Sequence, residues 1–296
     1  QWIYNDAKVR PAGMIGEQYP DDTINSLLYN MDYNSLRSLN AVTSYLTSQG
    51  YTSGKDFEKL QKARKLSPSE YVLNSKLGFI TLNINLNANQ TLAVAYQYTV
   101  IGQDKVYQVG EFSDQSIADP NLLVTKLLKS TTINTKMPMW DLMMKNVYNI
   151  RAYQISPNDF IMNILYLGND NGVSTGYFSD AEGKAKGMSL LHLMNLDNLN
   201  SQNNPIEGGD GLFDFINGAT TNGGTINAAT GRIYFPVLEP FGSHIRKIFE
   251  DEPALADKYA FDSLYRLTKT SAEQYTEKNK FRLEGHYTSS SGSEIN

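Results

Sequence analysis

Between Ile80 and Val100 the chain alternates apolar and polar residues over two runs, and no other feature of the sequence constrains its fold as much. In Ile80-Thr81-Leu82-Asn83-Ile84-Asn85-Leu86 the alternation is strict. Asn87-Ala88-Asn89-Gln90 supplies turn chemistry. Leu92, Val94, Tyr96, Tyr98 and Val100 then alternate with Thr91, Ala93, Ala95, Gln97 and Thr99. A period of two sends successive side chains to opposite faces of a strand. The run therefore predicts a long hairpin with one buried and one polar face. Gly102-Gln103-Asp104 turns the chain again, and residues 106–112 supply a third strand, making a meander.

Helical spacing is confined to shorter stretches. Leu36, Leu39, Val42 and Leu46 share one face from Asn34 onward, with Gly50 as the stop. A second helix is predicted from Ser53, where Asp56 resembles half of a capping box and Phe57 and Leu60 begin an apolar face; Ser67-Pro68 ends it. Residues 121–129, 139–147, 189–196, 243–249 (capped by Ser243) and 257–267 also read as helical. Strands are predicted at residues 151–155, 160–167, 232–237 and 281–287, with a turn at 168–172. A loop rich in Asn, Gly and Thr covers residues 197–231, interrupted by Leu212-Phe213-Asp214-Phe215-Ile216. Hairpins with helices inserted among them predict a mainly β, α+β fold, a jelly-roll-like β-sandwich decorated with helices. The domain organisation predicted is an N-terminal helical segment over residues 1–70, packed on a sandwich domain over residues 71–296.

Composition narrows the function classes. The net charge of -5, from 26 basic and 31 acidic residues, gives no electrostatic case for nucleic acid. With no cysteine, disulfides, thiolate metal sites and a cysteine nucleophile are excluded. No stretch approaches the eighteen apolar residues of a membrane-spanning helix. Segments of alternating polarity also occur in membrane barrels. However, most of this chain mixes helix, loop and short strand, which favours a soluble domain beside a barrel over part of its wall. Both ends read as cuts through a longer polypeptide.

His192, His244 and His286 are far apart, and neither HExxH nor GxSxG occurs. There is no GxGxxG and no GxxxxGK[ST]; Asn222-Gly223-Gly224-Thr225 reads as a loop turn. Glu207, Asp210, Asp214 and Glu239 could supply paired carboxylates for glycoside hydrolysis. The most suggestive constellation is Asp210-Gly211-Leu212-Phe213-Asp214 with Asp197 upstream. Asp197, Asp210 and Asp214, helped by Asn200 and Asn203, offer the hard oxygens that calcium takes. The same residues suit an Asx-turn loop whose side chains bond their own backbone. Trp140 sits among Met137, Met139, Leu142, Met143 and Met144 and reads as core.

Several segments together resemble a known family. They are Tyr71-Val72-Leu73-Asn74 with Gly78-Phe79-Ile80-Thr81-Leu82-Asn83, and Leu92-Ala93-Val94-Ala95-Tyr96-Gln97-Tyr98-Thr99 with Tyr107-Gln108-Val109-Gly110-Glu111-Phe112-Ser113. To these are added Gly211-Leu212-Phe213-Asp214-Phe215 and, most specifically, Gly231-Arg232-Ile233-Tyr234-Phe235-Pro236-Val237-Leu238-Glu239-Pro240-Phe241-Gly242. Over residues 71–296 the chain resembles the SprA (Sov) family of gliding-motility and cell-surface proteins. The resemblance implies a parent protein that is the outer-membrane translocon of the type IX secretion system, a very large barrel. It also implies partners: the rest of that barrel, a plug protein, a shuttle protein and secreted cargo. It implies no catalytic residue. A carbohydrate-binding sandwich is the alternative among binding modules, and a glycoside hydrolase the alternative among enzymes.

Overall fold

Backbone pairing in this chain is antiparallel and narrow. In the computed structural model, which describes residues 19–21, 31–75, 78–114, 121–168, 172–218 and 224–289, strands of two to seven residues form five sheets of two or three strands each. Helices of four to seven residues lie between them, so the composition is α+β. The chain divides into two compact units, residues 1–72 with 80–143, and residues 73–79 with 144–296. The sequence had placed its boundary at residue 70. Most of the first thirty residues, the turn expected at 168–172, the tip of the 197–231 loop and the last seven residues lie wholly or partly outside the described residues.

The first unit opens with α1 (Tyr33–Arg37), capped by the Asp32 carboxylate accepting the Ser35 N–H at 2.7 Å, and α2 (Val42–Ser48). The single helix expected from Asn34 is broken between them. Ser38 takes extended backbone and bridges to Asn121, while the Leu122 N–H donates to the Arg37 carbonyl at 2.9 Å. The Arg37 guanidinium, buried, binds the Glu111 carboxylate and the Leu122 carbonyl, so tertiary pairing overrides helical periodicity at this point. Leu36, Val42, Leu46 and Phe57 form the unit's small core.

The helix expected from Ser53 is absent. The Asp56 carboxylate does reach back, but it takes the Thr52 N–H at 2.8 Å while Gly54 N–H donates to the Phe57 carbonyl, closing a tight turn. Capping chemistry was present without a helix behind it. The long hairpin is also corrected. Strand β2 (Phe79–Leu82) pairs with β1 (Tyr71–Asn74). The second arm divides at Ala95 into β3 (Leu92–Val94) and β4 (Tyr96–Thr99). β4 pairs with β5 (Val106–Val109), as the meander required, but β3 pairs with β6 (Lys126–Lys129), a segment expected to be helical. Lys129 shows what fixes that choice. Its ammonium donates to the carbonyls of Gln90 at 2.6 Å, Ala88 at 3.1 Å, Ser130 at 3.2 Å and Asn87 at 3.3 Å, pinning the 87–90 turn beside β6. The expected helix at 139–147 is a short 3-10 turn, Pro138–Leu142, followed by a strand.

The second unit holds two three-stranded sheets. One orders β10 (Ile226–Asn227), β11 (Arg232–Tyr234) and β7 (Val147–Asn149). The other orders β12 (Phe281–His286), β8 (Ile161–Leu167) and β9 (Ser174–Thr175). β8 alternates as its sequence demands, burying Met162, Ile164 and Tyr166. α3 (Leu190–Leu193) is capped by the Ser189 hydroxyl, which accepts the His192 N–H. α4 (Ser243–Ile248) begins at the expected serine, although Gly242 occupies the cap position. α5 (Pro253–Tyr259) stops early, because Ala260 turns extended and the Phe261 N–H goes to the Phe241 carbonyl; a 3-10 turn, Asp262–Arg266, and α6 (Lys269–Gln274) follow. No strand forms at 151–155, where positive φ at Arg151 and Gln154 breaks an extended path. Both sheets and α3, α4 and α5 share one core. Ile164, Met194, Leu196, Ile233 and Ile245 are wholly buried there beside an aromatic cluster in which the Phe178 and Tyr259 rings lie 4.3 Å apart.

Candidate functional site

The loop that leaves α3 carries the three carboxylates singled out by the sequence, and the structure gathers them. Asn195 adopts φ 58, ending the helix and turning Leu196 and Asp197 inward; both are fully buried. A buried carboxylate needs compensation for lost water, and Asp197 receives it from three donors. The Asp210 N–H donates to one oxygen at 2.8 Å; the Gly211 N–H at 3.1 Å and the Ser189 hydroxyl at 3.3 Å donate to the other. The Asp197 carbonyl accepts from His192 Nδ1 at 2.6 Å, which fixes that imidazole's tautomer. Gly209 passes so close that a Cβ there would lie 2.4 Å from the carboxylate.

Asp214 closes the same loop from its far end. Its carboxylate accepts the Asn198 N–H at 2.7 Å and the Leu199 N–H at 3.2 Å. Burial pushes this carboxyl up from the usual aspartate range. The two N–H donors oppose that shift, and the negative charges of Asp197 and Asp210 add to it. Asp210 itself is exposed and accepts the Leu212 N–H at 3.0 Å. Upstream, the Asn200 side-chain oxygen accepts the N–H groups of Gln202 and Asn204, both at 3.0 Å.

The carboxylates therefore face positive N–H dipoles, the geometry of Asx turns that hold a loop to itself. Calcium would need those same oxygens turned inward on a shared centre. Among the described residues no group of three or more His, Cys, Asp or Glu side chains could hold a metal ion. His244, unrelated in sequence, donates from Nε2 to the Leu193 carbonyl at 2.7 Å, so two imidazoles bind carbonyls at the C-terminal side of α3.

A second polar cluster escaped the sequence. Tyr148 on β7 and Tyr265 in the 3-10 turn place their hydroxyls 3.4 Å apart, and the Tyr265 hydroxyl accepts the Phe241 N–H at 2.8 Å. Burial pushes Tyr148 up to about 12 and raises Tyr265 further, each with the Glu239 charge adding to the rise. The two tyrosines are 117 residues apart, and no spacing signal could have joined them. Two concavities of this unit are modest: an open depression of about 330 Å³ lined by Ser263, Leu267, Ser271, Gln274 and Tyr275, and one of about 150 Å³ beside β8 and β12. No protein-family model matches the chain, and no curated protein matches it.

Proposed function

We propose that this chain is a non-catalytic segment of the type IX secretion outer-membrane translocon. It would serve protein export and gliding motility at the bacterial cell surface by shaping the pore or docking its partners. The observation that carries the reading is the resemblance of residues 231–242 to the SprA family. In the fold that stretch builds core. Gly231 lies against Ala152, Ile233 and Phe235 are buried on and after β11, and Phe241 is buried where its N–H meets Tyr265. These residues specify a scaffold, as a part in a larger assembly requires. The two three-stranded sheets around one core are read here as the rudiment of a sandwich, and the jelly-roll-like arrangement belongs to the same proposal.

Polar chemistry in the second unit supports the same reading. Asp197 and Asp214 are engaged by backbone donors, and Tyr148 and Tyr265 by each other, with the Phe241 N–H donating to Tyr265. Exposed apolar side chains such as Tyr153, Val173, Tyr177 and Leu212 offer contact surface for the rest of the barrel, the plug, the shuttle or passing cargo. The test is photo-cross-linking in cells that assemble the parent machine, with a probe residue at Tyr153 or Leu212 and mass spectrometry of the products. Recovery of translocon components is expected; products containing none of them would remove the proposal.

A further inference from the structure

In the first unit, three residues lie against the β4–β5 hairpin, and hairpin side chains hold each of them. On the hairpin, Tyr98 and Tyr107 are cross-strand partners whose rings stack with centroids 5.1 Å apart. The Tyr19 ring packs on Tyr107 at 5.3 Å. The Tyr98 hydroxyl donates to the Pro20 carbonyl at 2.7 Å. Lys105 stands 4.5 Å over the Tyr107 ring and donates to the Asp21 carboxylate at 3.1 Å. Pro20 and Asp21 are buried, Asp21 to 5% exposure, whereas the Lys105 side chain stays 57% exposed.

Each contact reads a separate chemical feature. A stacked tyrosine pair accepts an aromatic ring on its free edge. A lysine already over an aromatic face adds a carboxylate partner. Proline brings a carbonyl, no N–H to desolvate and a fixed φ, so ordering it costs little. We propose that the β4–β5 hairpin is a recognition face for polypeptide segments carrying an aromatic residue, a proline and a carboxylate in succession. Tyr19-Pro20-Asp21 occupies this face in cis, and a partner's segment of the same chemistry competes for it. The inference stands apart from the translocon reading, since it concerns only what this face binds.

Occupation in cis sets the expected behaviour. Being part of the same chain, the segment is present at an effective concentration on the order of a millimolar. Against an intrinsic dissociation constant on the order of 100 μM, that lowers apparent affinity for a competitor about tenfold. The probe is a fluorescent peptide of sequence Glu-Gln-Tyr-Pro-Asp-Asp-Thr, titrated with the full chain. A Tyr19→Ser/Asp21→Asn chain, which vacates the face, should bind it about tenfold more tightly than the wild type. Adding Lys105→Glu or Tyr107→Ser to that background should abolish binding, and a peptide with Ser for Tyr and Asn for Asp should not bind. Equal binding by the vacated and wild-type chains, or binding indifferent to Lys105→Glu, overturns the proposal. If circular dichroism shows the vacated chain unfolded, the wild type is labelled with 3-fluorotyrosine at position 19. Millimolar peptide should then move the ¹⁹F resonance toward that of a solvated tyrosine, and an unmoved resonance overturns the proposal equally.

Discussion

At the scale of single residues, the second unit is governed by a few buried polar groups. Asp197 holds the far side of its loop through two N–H donors and a hydroxyl, so Asp197→Asn presents an NH₂ group to one of those donors. A loss of about 2–4 kcal/mol in urea unfolding is expected. Gly209→Ala meets the same carboxylate at 2.4 Å from a backbone at φ 76, and should cost a comparable amount. Because the loop carboxylates face N–H dipoles, millimolar calcium should leave the thermal midpoint unchanged; a rise of several degrees would revive the calcium reading of Asp197, Asp210 and Asp214. Tyr148 gives a pH dependence of definite sign. Its folded value of about 12 lies above an ordinary value of 10.0, so its contribution is full below pH 10 and fades as pH rises through about 12. The loss amounts to about 2–3 kcal/mol, and Tyr148→Phe should make the alkaline limb of a stability-against-pH curve shallower, leaving the part that Tyr265 contributes. The sequence singled out the three aspartates and offered calcium or Asx turns for them. Choosing between calcium and Asx turns required knowing which atoms the carboxylates face, and only the folded backbone supplies that.

At the scale of elements, pattern revealed conformation better than partnership. β8, β12 and α3 form within the segments read as strand or helix, because the pattern over a few residues is a local property. The 80–100 run was also extended for much of its length, yet its arms pair with β1, β6 and β5 in place of each other. Alternation states that a strand has two faces and is silent on which edge it meets. β6 was mistaken for a helix because Lys126-Leu127-Leu128-Lys129 fits either period at that length. Short elements depend on their junctions, and Gly231 is the tightest of them. It turns the chain into β11 at φ 61, and a Cβ would lie 2.0 Å from the Ala152 carbonyl oxygen. Gly231→Ala is expected to cost at least about 3 kcal/mol and to broaden the tertiary signals of Tyr148 and Phe235. A well-folded variant with unchanged near-ultraviolet dichroism would show that the junction relaxes freely.

At the scale of the whole molecule, the two units differ in what they bury. Among the described residues the first keeps a core of four buried side chains, Leu36, Val42, Leu46 and Phe57, and its β3–β6 and β4–β5 sheets have two strands each. The second buries twenty-three in one cluster, including the Phe178, Phe249 and Tyr259 rings, and has two sheets of three strands. Two-stranded ribbons are marginal without a packed face, whereas a central strand such as β8 opens only when the core does. Hydrogen exchange should therefore separate the units. Amides of Ile164 and Tyr166 should exchange only through global unfolding of their unit, while those of β4 and β5 should exchange at least about a hundredfold faster through local opening. Leu46→Ala should then speed exchange across α1 and α2, and leave β8 protected, since the packing it removes belongs to the smaller core. Equal protection of β5 and β8, or acceleration of β8 by Leu46→Ala, would mean that the chain unfolds as one cooperative body.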